Sequence, residues 1–402
     1  MNALGTALPL AWAYLRARPL ATVLNIALLA LGIATIVALA LTLSQLEERM
    51  DRDAAGIDLV IGAKGSPLQL ILSTVFQVDI PTGNIDLAEA ERLTKHAHVK
   101  QAIPLALGDS YKTFRIVGTD ARYLTLYAAT LHDGRGWQAP QEVVLGALVA
   151  RITGLKVGDK FTGSHGLTEG GGHHDEHPYT VVGILKSSGA VIDRVILTSV
   201  ESIWEVHEHE EGEGAGAIAK AEKQITAVLI QYATPLAAAS FPRRVNASSG
   251  LQAAAPAMET ARLFNLLGVG ISALKGFAVV LMLCAALGIF VGLMNALDEH
   301  RADLALLRLL GASPATVFLT IMAQGVVLGL AGVILGTLIG HIGAEWVGLA
   351  LEKTHRVALS GGIVISEELW VGLGAMAMAL LAGLFPAWRA YRNAVPESLS
   401  RN

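Results

Sequence analysis

The chain has 402 residues, 53% of them hydrophobic and only 16% charged, with a formal net charge of −4 and a mean hydropathy of +0.51. That is too apolar for an ordinary soluble protein and too polar for a chain lying wholly in lipid. A mixed architecture is expected, and nucleic acid is not among its expected partners.

Residues 1–19 open with a stretch, Leu4 to Arg18, that reads as an amphipathic interfacial helix with Trp12, Tyr14, Arg16 and Arg18 as interface anchors. A first span follows over residues 20–46, interrupted only by Thr22, Asn25, Thr35 and Thr42 in its apolar part. A secretory signal would begin similarly, behind Arg16 and Arg18. Its apolar region would run only about 7–15 residues and end at a small-residue cleavage site. Here the apolar run is far longer and no such site precedes Gln45-Leu46-Glu47-Glu48, so the segment reads as a retained helix.

Residues 47–266 are long enough for one or two folded units with their own cores. Alternating runs at Lys112–Val117, Glu142–Leu145, Tyr179–Leu185, Val191–Thr198 and Gln224–Gln231 predict strands. Helix is expected near Leu87–His98 and Ala253–Leu267, so the region reads as α+β. The single cysteine, Cys284, falls in the second span and leaves this domain without a disulfide.

Three further spans are predicted at about 270–297, 316–340 and 369–387. Between the second and third lies residues 298–313, a charged cluster (Asp298, Glu299, Arg301, Asp303) running into a Leu-rich helix that ends Gly311-Ala312-Ser313. Leu304, Leu307 and Leu310 fall at helical spacing, with Glu299, Arg301, Asp303 and Arg308 along a polar edge. An interfacial helix capping two spans would show the same pattern. Arg16, Arg18, Arg301, Arg308, Arg389, Arg392 and Arg401 place both termini and this segment in the cytoplasm, and residues 47–266 outside it.

No Asp, Glu, Lys or Arg sits at the middle of a span, which argues against an ion channel or proton-coupled carrier. Small residues recur instead at four-residue spacing, Gly288 and Gly292, Gly325 and Gly329, then Gly332, Gly336 and Gly340, suited to close helix packing within the chain or across a dimer seam. No G-x-x-x-x-G-K-[ST] sequence is present, so ATP hydrolysis would belong to another chain and no catalytic residue is assigned here.

Two histidine- and acid-rich stretches stand apart, residues 163–177 and 207–213. His165, His173, His174, Asp175, His177, His207 and His209 carry ligand chemistry suited to a divalent metal such as Zn²⁺. A solvated glycine-rich linker has the same composition, and the spacing matches no rigid motif. His96 and His98, two apart on an expected helix, would not share a face.

In order, these features resemble the MacB/FtsX-like permeases of ATP-binding-cassette transporters. The likeness rests on residues 298–313, on the pair Leu155–Phe161 and Tyr179–Leu185, on the terminal stretch Pro386–Leu399 and on the one-plus-three span layout. Asp58–Ile85 also looks like a subset of these permeases. The resemblance implies an α-helical membrane protein with four transmembrane helices and a large α+β periplasmic domain between the first two, in a bacterial inner membrane. It implies a partner ABC ATPase that holds ATP and Mg²⁺, coupled through Glu299, Arg301, Leu304, Leu307, Arg308 and Gly311. It further implies a dimer with a second copy or a related permease, used for export or mechanotransmission, and room for a periplasmic or outer-membrane partner. The alternative is a membrane-anchored, non-transporting receptor or sensor for metal, which has no need of the 298–313 helix. A membrane-bound metallohydrolase ranks last, for want of an ordered ligand motif.

Overall fold

The structure is a computed structural model that describes residues 3–165, 178–211, 223–299, 306, 312–355 and 359–392. The chain divides into two compact units, residues 1–46 with 267–402, and residues 47–266.

The first unit is helical. After a helix at Ala3–Ala17 come four helices long and apolar enough to cross a membrane: Pro19–Ala54, Pro256–Glu299, Pro314–His355 and Ser366–Arg392, hereafter spans one to four. Spans one to three each begin on proline, whose fixed φ and missing N–H suit the first helical position. The helices outrun the apolar stretches that predict them, because hydropathy marks only the part suited to lipid. The continuation of span one, for instance, carries the Glu48–Arg52 pair at helical spacing, 2.7 Å apart.

Spans one and three pack in register. Leu29, Ile33 and Val37, one turn apart, seat against Gly332, Gly336 and Gly340. A methyl built on Gly336 would lie 2.7 Å from the Ile33 Cβ and 2.8 Å from the Ala30 carbonyl oxygen. Gly325 and Gly329 meet Ala379 of span four, and Gly288 lies against the Asn25 side chain of span one. These glycines are therefore filled by neighbours within the chain, and they let backbones approach where a hydrophobic driving force between helices is absent.

The second unit is α+β. Its strands are β1 Leu59–Ala63, β2 Ile85–Asp86, β3 Val99–Tyr111, β4 Phe114–Thr119, β5 Leu131–Gly134, β6 Glu142–Leu145, β7 Lys160–Phe161, β8 Ser164–His165, β9 Tyr179–Leu185, β10 Ile196–Ser199, β11 Gln224–Ile225, β12 Ala227–Tyr232 and β13 Leu251–Ala254. The main sheet runs β13-β1-β12-β3-β4-β10-β6-β9-β5, with β7 on β9 and β8 on β3, while β11 and β2 form a separate pair. The long β3 joins its two halves: residues from Val99 to Leu105 pair with β12, and those from Ala106 to Tyr111 pair with β4. Leu59, Ile61, Ile116, Val143, Val181, Ile196, Phe241 and Val245 lie in one buried core.

The strands expected at Glu142–Leu145 and Tyr179–Leu185 are found at those bounds, and β7 pairs with β9 through Phe161 and Tyr179. Others differ for local reasons. Lys112 and Thr113 are the two-residue turn between β3 and β4, both at positive φ, so β4 starts at Phe114. The expected strand at Val191–Thr198 begins as a 3-10 turn, Val191–Arg194, because Asp193 accepts bonds from the Ser188 and Gly189 N–H groups and holds the chain off the ladder. The helix at Leu87 ends at Thr94, and Ala253–Ala254 belong to β13, with helix resuming only at Pro256.

Candidate functional site

The Ala3–Ala17 helix buries Ala7, Ala11 and Leu15, three positions four apart, while Leu8 and Trp12 face outward and Arg16 stacks 4.9 Å from the Trp12 ring centroid. The small alanines permit close approach to span three, and Leu15 joins a core with Leu293, Leu297, Val317, Ile321, Ala387 and Ala390. The start of the chain thus sits where spans two, three and four converge. Pro19 ends this helix, and the turn is held by the Thr22 hydroxyl donating to the Leu15 carbonyl at 2.9 Å.

The 298–313 segment springs from this place. Its first described anchor is Glu299, the last residue of span two, which forms an ion pair with Arg18. At the other end Ser313 precedes Pro314, and its hydroxyl accepts the Thr316 N–H at 3.2 Å, the geometry of an N-cap at the start of span three. Leu306 is helical and exposed. Arg301, Leu304, Leu307, Arg308 and Gly311 lie outside the described residues. The Arg18–Glu299 pair was not legible in sequence, since its members are 281 positions apart.

A second polar cluster, missed by sequence reasoning, ties the opposite ends of spans one, three and four. Gln45 exchanges two bonds with the Ser360 backbone, 2.8 and 2.9 Å. Glu345 accepts the Gly361 N–H at 2.5 Å, and His341 bridges the Gly361 carbonyl, 2.5 Å, and the Glu368 carboxylate, 3.1 Å. Each of these residues lies at a span end, where a scan for mid-span charge does not reach.

In the second unit a buried ion pair sits beneath the 3-10 turn. Asp53, 4% exposed, accepts from the Val191 N–H at 2.5 Å and from Arg194 at 2.8 Å. Arg115, also buried, donates to the carbonyls of Ser73, 2.9 Å, and Asp79, 2.6 Å. Burial pushes its guanidinium down to about 10, opposed by Asp79, so it remains charged at neutral pH. It fastens the Asp58–Ile85 region noted in the sequence.

Of the metal candidates, His165 lies in β8 with Asp109 as its register partner, and His207 and His209 lie on the Val200–Glu211 helix. His173, His174, Asp175 and His177 lie outside the described residues. Among the described residues no group of three or more His, Cys, Asp or Glu side chains is arranged to hold a metal. His96 and His98 differ from expectation: they follow the Leu87–Thr94 helix, and the turn brings their rings to 4.7 Å. His96 Nε2 nevertheless accepts from Arg244 at 2.9 Å, and desolvation, then Arg244 and His98, hold its imidazole below the usual value. A cation at that nitrogen disfavours a second one.

Four candidate spans, one before and three after a large α+β domain, define a multi-pass inner-membrane protein of permease type. Residues 22–243 match the MacB-like periplasmic core domain, and residues 275–395 match the FtsX-like permease C-terminal family. The chain belongs to the MacB/FtsX-like permease family of ATP-binding-cassette transporters. It is similar to the lipoprotein-releasing system transmembrane protein LolC of Xylella fastidiosa, 33% identical over 116 residues, 25% of this chain and 28% of that protein. It is also similar to an uncharacterized ABC transporter permease protein of Mycobacterium tuberculosis, 27% identical over 98% of this chain and 44% of that protein. The chain thus spans less than two thirds of the length of either relative. The periplasmic region of MacB from Actinobacillus actinomycetemcomitans aligns with 53% of this chain and 96% of that one, at 12% identity and a TM-score of 0.34.

Proposed function

We propose that the chain is the transmembrane subunit of an ATP-driven transporter, in which a separate ABC ATPase, carrying ATP and Mg²⁺, docks on the 298–313 segment. The observation that carries this reading is the tethering of that segment. Arg18 holds its start through Glu299, and the Ser313 cap begins span three at its end. A push that reaches either end of the segment acts on spans two and three, because both ends are fastened to them. Both termini face the cytoplasm and residues 47–266 face the periplasm, a reading supported by the clustering of arginine at the span ends. Two permeases, identical or related, supply eight spans around the transport path, and ATP-driven motion is delivered to the periplasmic domains for export or mechanotransmission. The name of the LolC relative makes a lipid-modified protein a candidate cargo. The histidine-rich stretches at 163–177 and 207–213 add a divalent-metal appendage to this scheme, with affinity that falls as the imidazoles protonate.

The test is purification of the tagged full chain in mild detergent with identification of what accompanies it. A stoichiometric ABC ATPase, whose hydrolysis is uncoupled or which is lost on Leu307→Glu or Arg308→Glu, is expected. Recovery of an intact membrane protein with no ATPase would sink the proposal.

A further inference from the structure

A groove of about 500 Å³ opens beside the Ala147–Thr153 helix in the second unit. Its floor is apolar, with Ala147, Ala150, Leu155 and Ile184, and four basic side chains line it: His132 of β5, Arg151 of the helix, Lys156 of the loop after it and Lys186 just past β9. Gly154, in the left-handed region at φ +75°, ends the helix and turns the chain towards Lys156. Among the described residues no Asp or Glu lines it. Two acids are near in sequence: Asp133, next to His132 on β5, accepts the Gly134 N–H at 2.8 Å, and Asp159 accepts the Lys156 N–H at 2.8 Å.

Elsewhere in this unit several arginines have carboxylate partners, Arg122 with Asp120, Arg135 with Glu142 and Arg194 with Asp53, while Arg115 is held by carbonyls and Arg244 by His96. Among the described residues Arg151, Lys156 and Lys186 have none. A set of uncompensated cations over an apolar floor favours an occupant that brings both carboxylate and apolar surface. Leu131, Ile152 and Val157, each next in sequence to a lining residue, are exposed large apolar side chains in the same neighbourhood.

The sheet adds a second, independent feature. β5 ends the strand order, and among the described residues it pairs only with β9. An edge strand offers main-chain N–H and C=O groups to an added strand, whose alternate side chains then point to one face. We propose that this groove and edge take an extended acidic peptide segment of a partner protein, with its carboxylates at Arg151, Lys156 and Lys186, its apolar side chains on the floor and its backbone along β5.

Fluorescence anisotropy on the full chain in neutral detergent tests this, with the dye-labelled peptide Glu-Val-Glu-Leu-Glu-Val-Glu as probe. Binding is expected to weaken about tenfold or more when Arg151, Lys156 and Lys186 are all changed to Glu, and to weaken in high salt. The matched surface control R92E/K95E/K100E should leave it unchanged. Should the charge reversal impair folding, the neutral pair K156Q/K186Q gives the same reading on a milder change. Equal binding by the groove variants and the wild type would overturn the proposal. So would equal binding of the peptide methylated on alternate backbone nitrogens, since strand addition needs those N–H groups. Displacement of the peptide by micelles doped with phosphatidylglycerol would overturn it in favour of a lipid surface.

Discussion

Removing Asp53 alone should open the region around the 3-10 turn far more than removing Asp53 and Arg194 together. The Asp53 side chain is 6% exposed and that of Arg194 13% exposed, so Asp53→Leu leaves a largely buried guanidinium without its partner. It also strips the Val191 N–H of its acceptor. Breaking a buried pair from one side costs about 3–5 kcal/mol, because one charge is left uncompensated. In Asp53→Leu with Arg194→Met both charges are gone, and the orphaned Val191 N–H remains as the main cost, about 1–3 kcal/mol. Hydrogen exchange of the full chain in detergent, read on peptides covering 47–55 and 187–197, measures this directly. At about 1.4 kcal/mol per tenfold, the single variant should exchange roughly two to three and a half orders of magnitude faster, and the double variant should recover a large part of that. A double variant as fast as the single one would refute the account of Asp53 and Arg194 as a mutually dependent buried pair.

Other outcomes follow from single contacts. Gly336→Ala forces a methyl into Ile33 and should destabilise the helical unit by about 1–3 kcal/mol, whereas Gly276→Ala, with nothing within 4 Å, should be tolerated; thermal unfolding in detergent separates them. Arg115→Lys gives up the two-carbonyl fork to Ser73 and Asp79, and should raise proteolytic cleavage between residues 75 and 82 in the otherwise intact chain. The Arg135 bond, with added N–H donors from Gln138 and Ala139, draws the Glu142 carboxyl down to about 2 from an ordinary 4.5. A depressed acid stabilises the fold fully above about pH 4.5, and that contribution is lost as pH falls through about 2. Glu142→Gln should therefore flatten the acid limb of stability in that window, measured by denaturation at stepped pH. Under the proposed ATPase docking, Arg18→Glu should impair coupling of hydrolysis, and adding Glu299→Arg should restore it; a double variant no better than the single would remove the pair from the coupling path.

Within the second unit, legibility tracked how local the deciding interactions are. Tyr179–Leu185 was readable because alternate residues along it are buried, and Glu142–Leu145 because it is a short β-branched apolar run. Val191–Thr198 has comparable strand composition, yet its first half follows the Asp193 carboxylate into a turn, and Val191 donates to a residue 138 positions away. The cluster of Gln45, His341, Glu345 and Glu368 was missed for the same reason, since each is an unremarkable polar residue at a span end until the spans are brought together.

By itself the sequence determined the four apolar helices and the α+β region between the first and second, because transfer of a continuous apolar run into lipid and alternation along a half-buried strand are properties of neighbouring residues. It also supplied the four-residue spacing of glycines, but not what they touch. Only the tertiary structure decided that Gly332, Gly336 and Gly340 receive Leu29, Ile33 and Val37, that Arg18 meets Glu299, and that Asp53 lies against Arg194. Those partners are chosen by which helix faces and strands meet in space, and sequence separation carries no information about that distance.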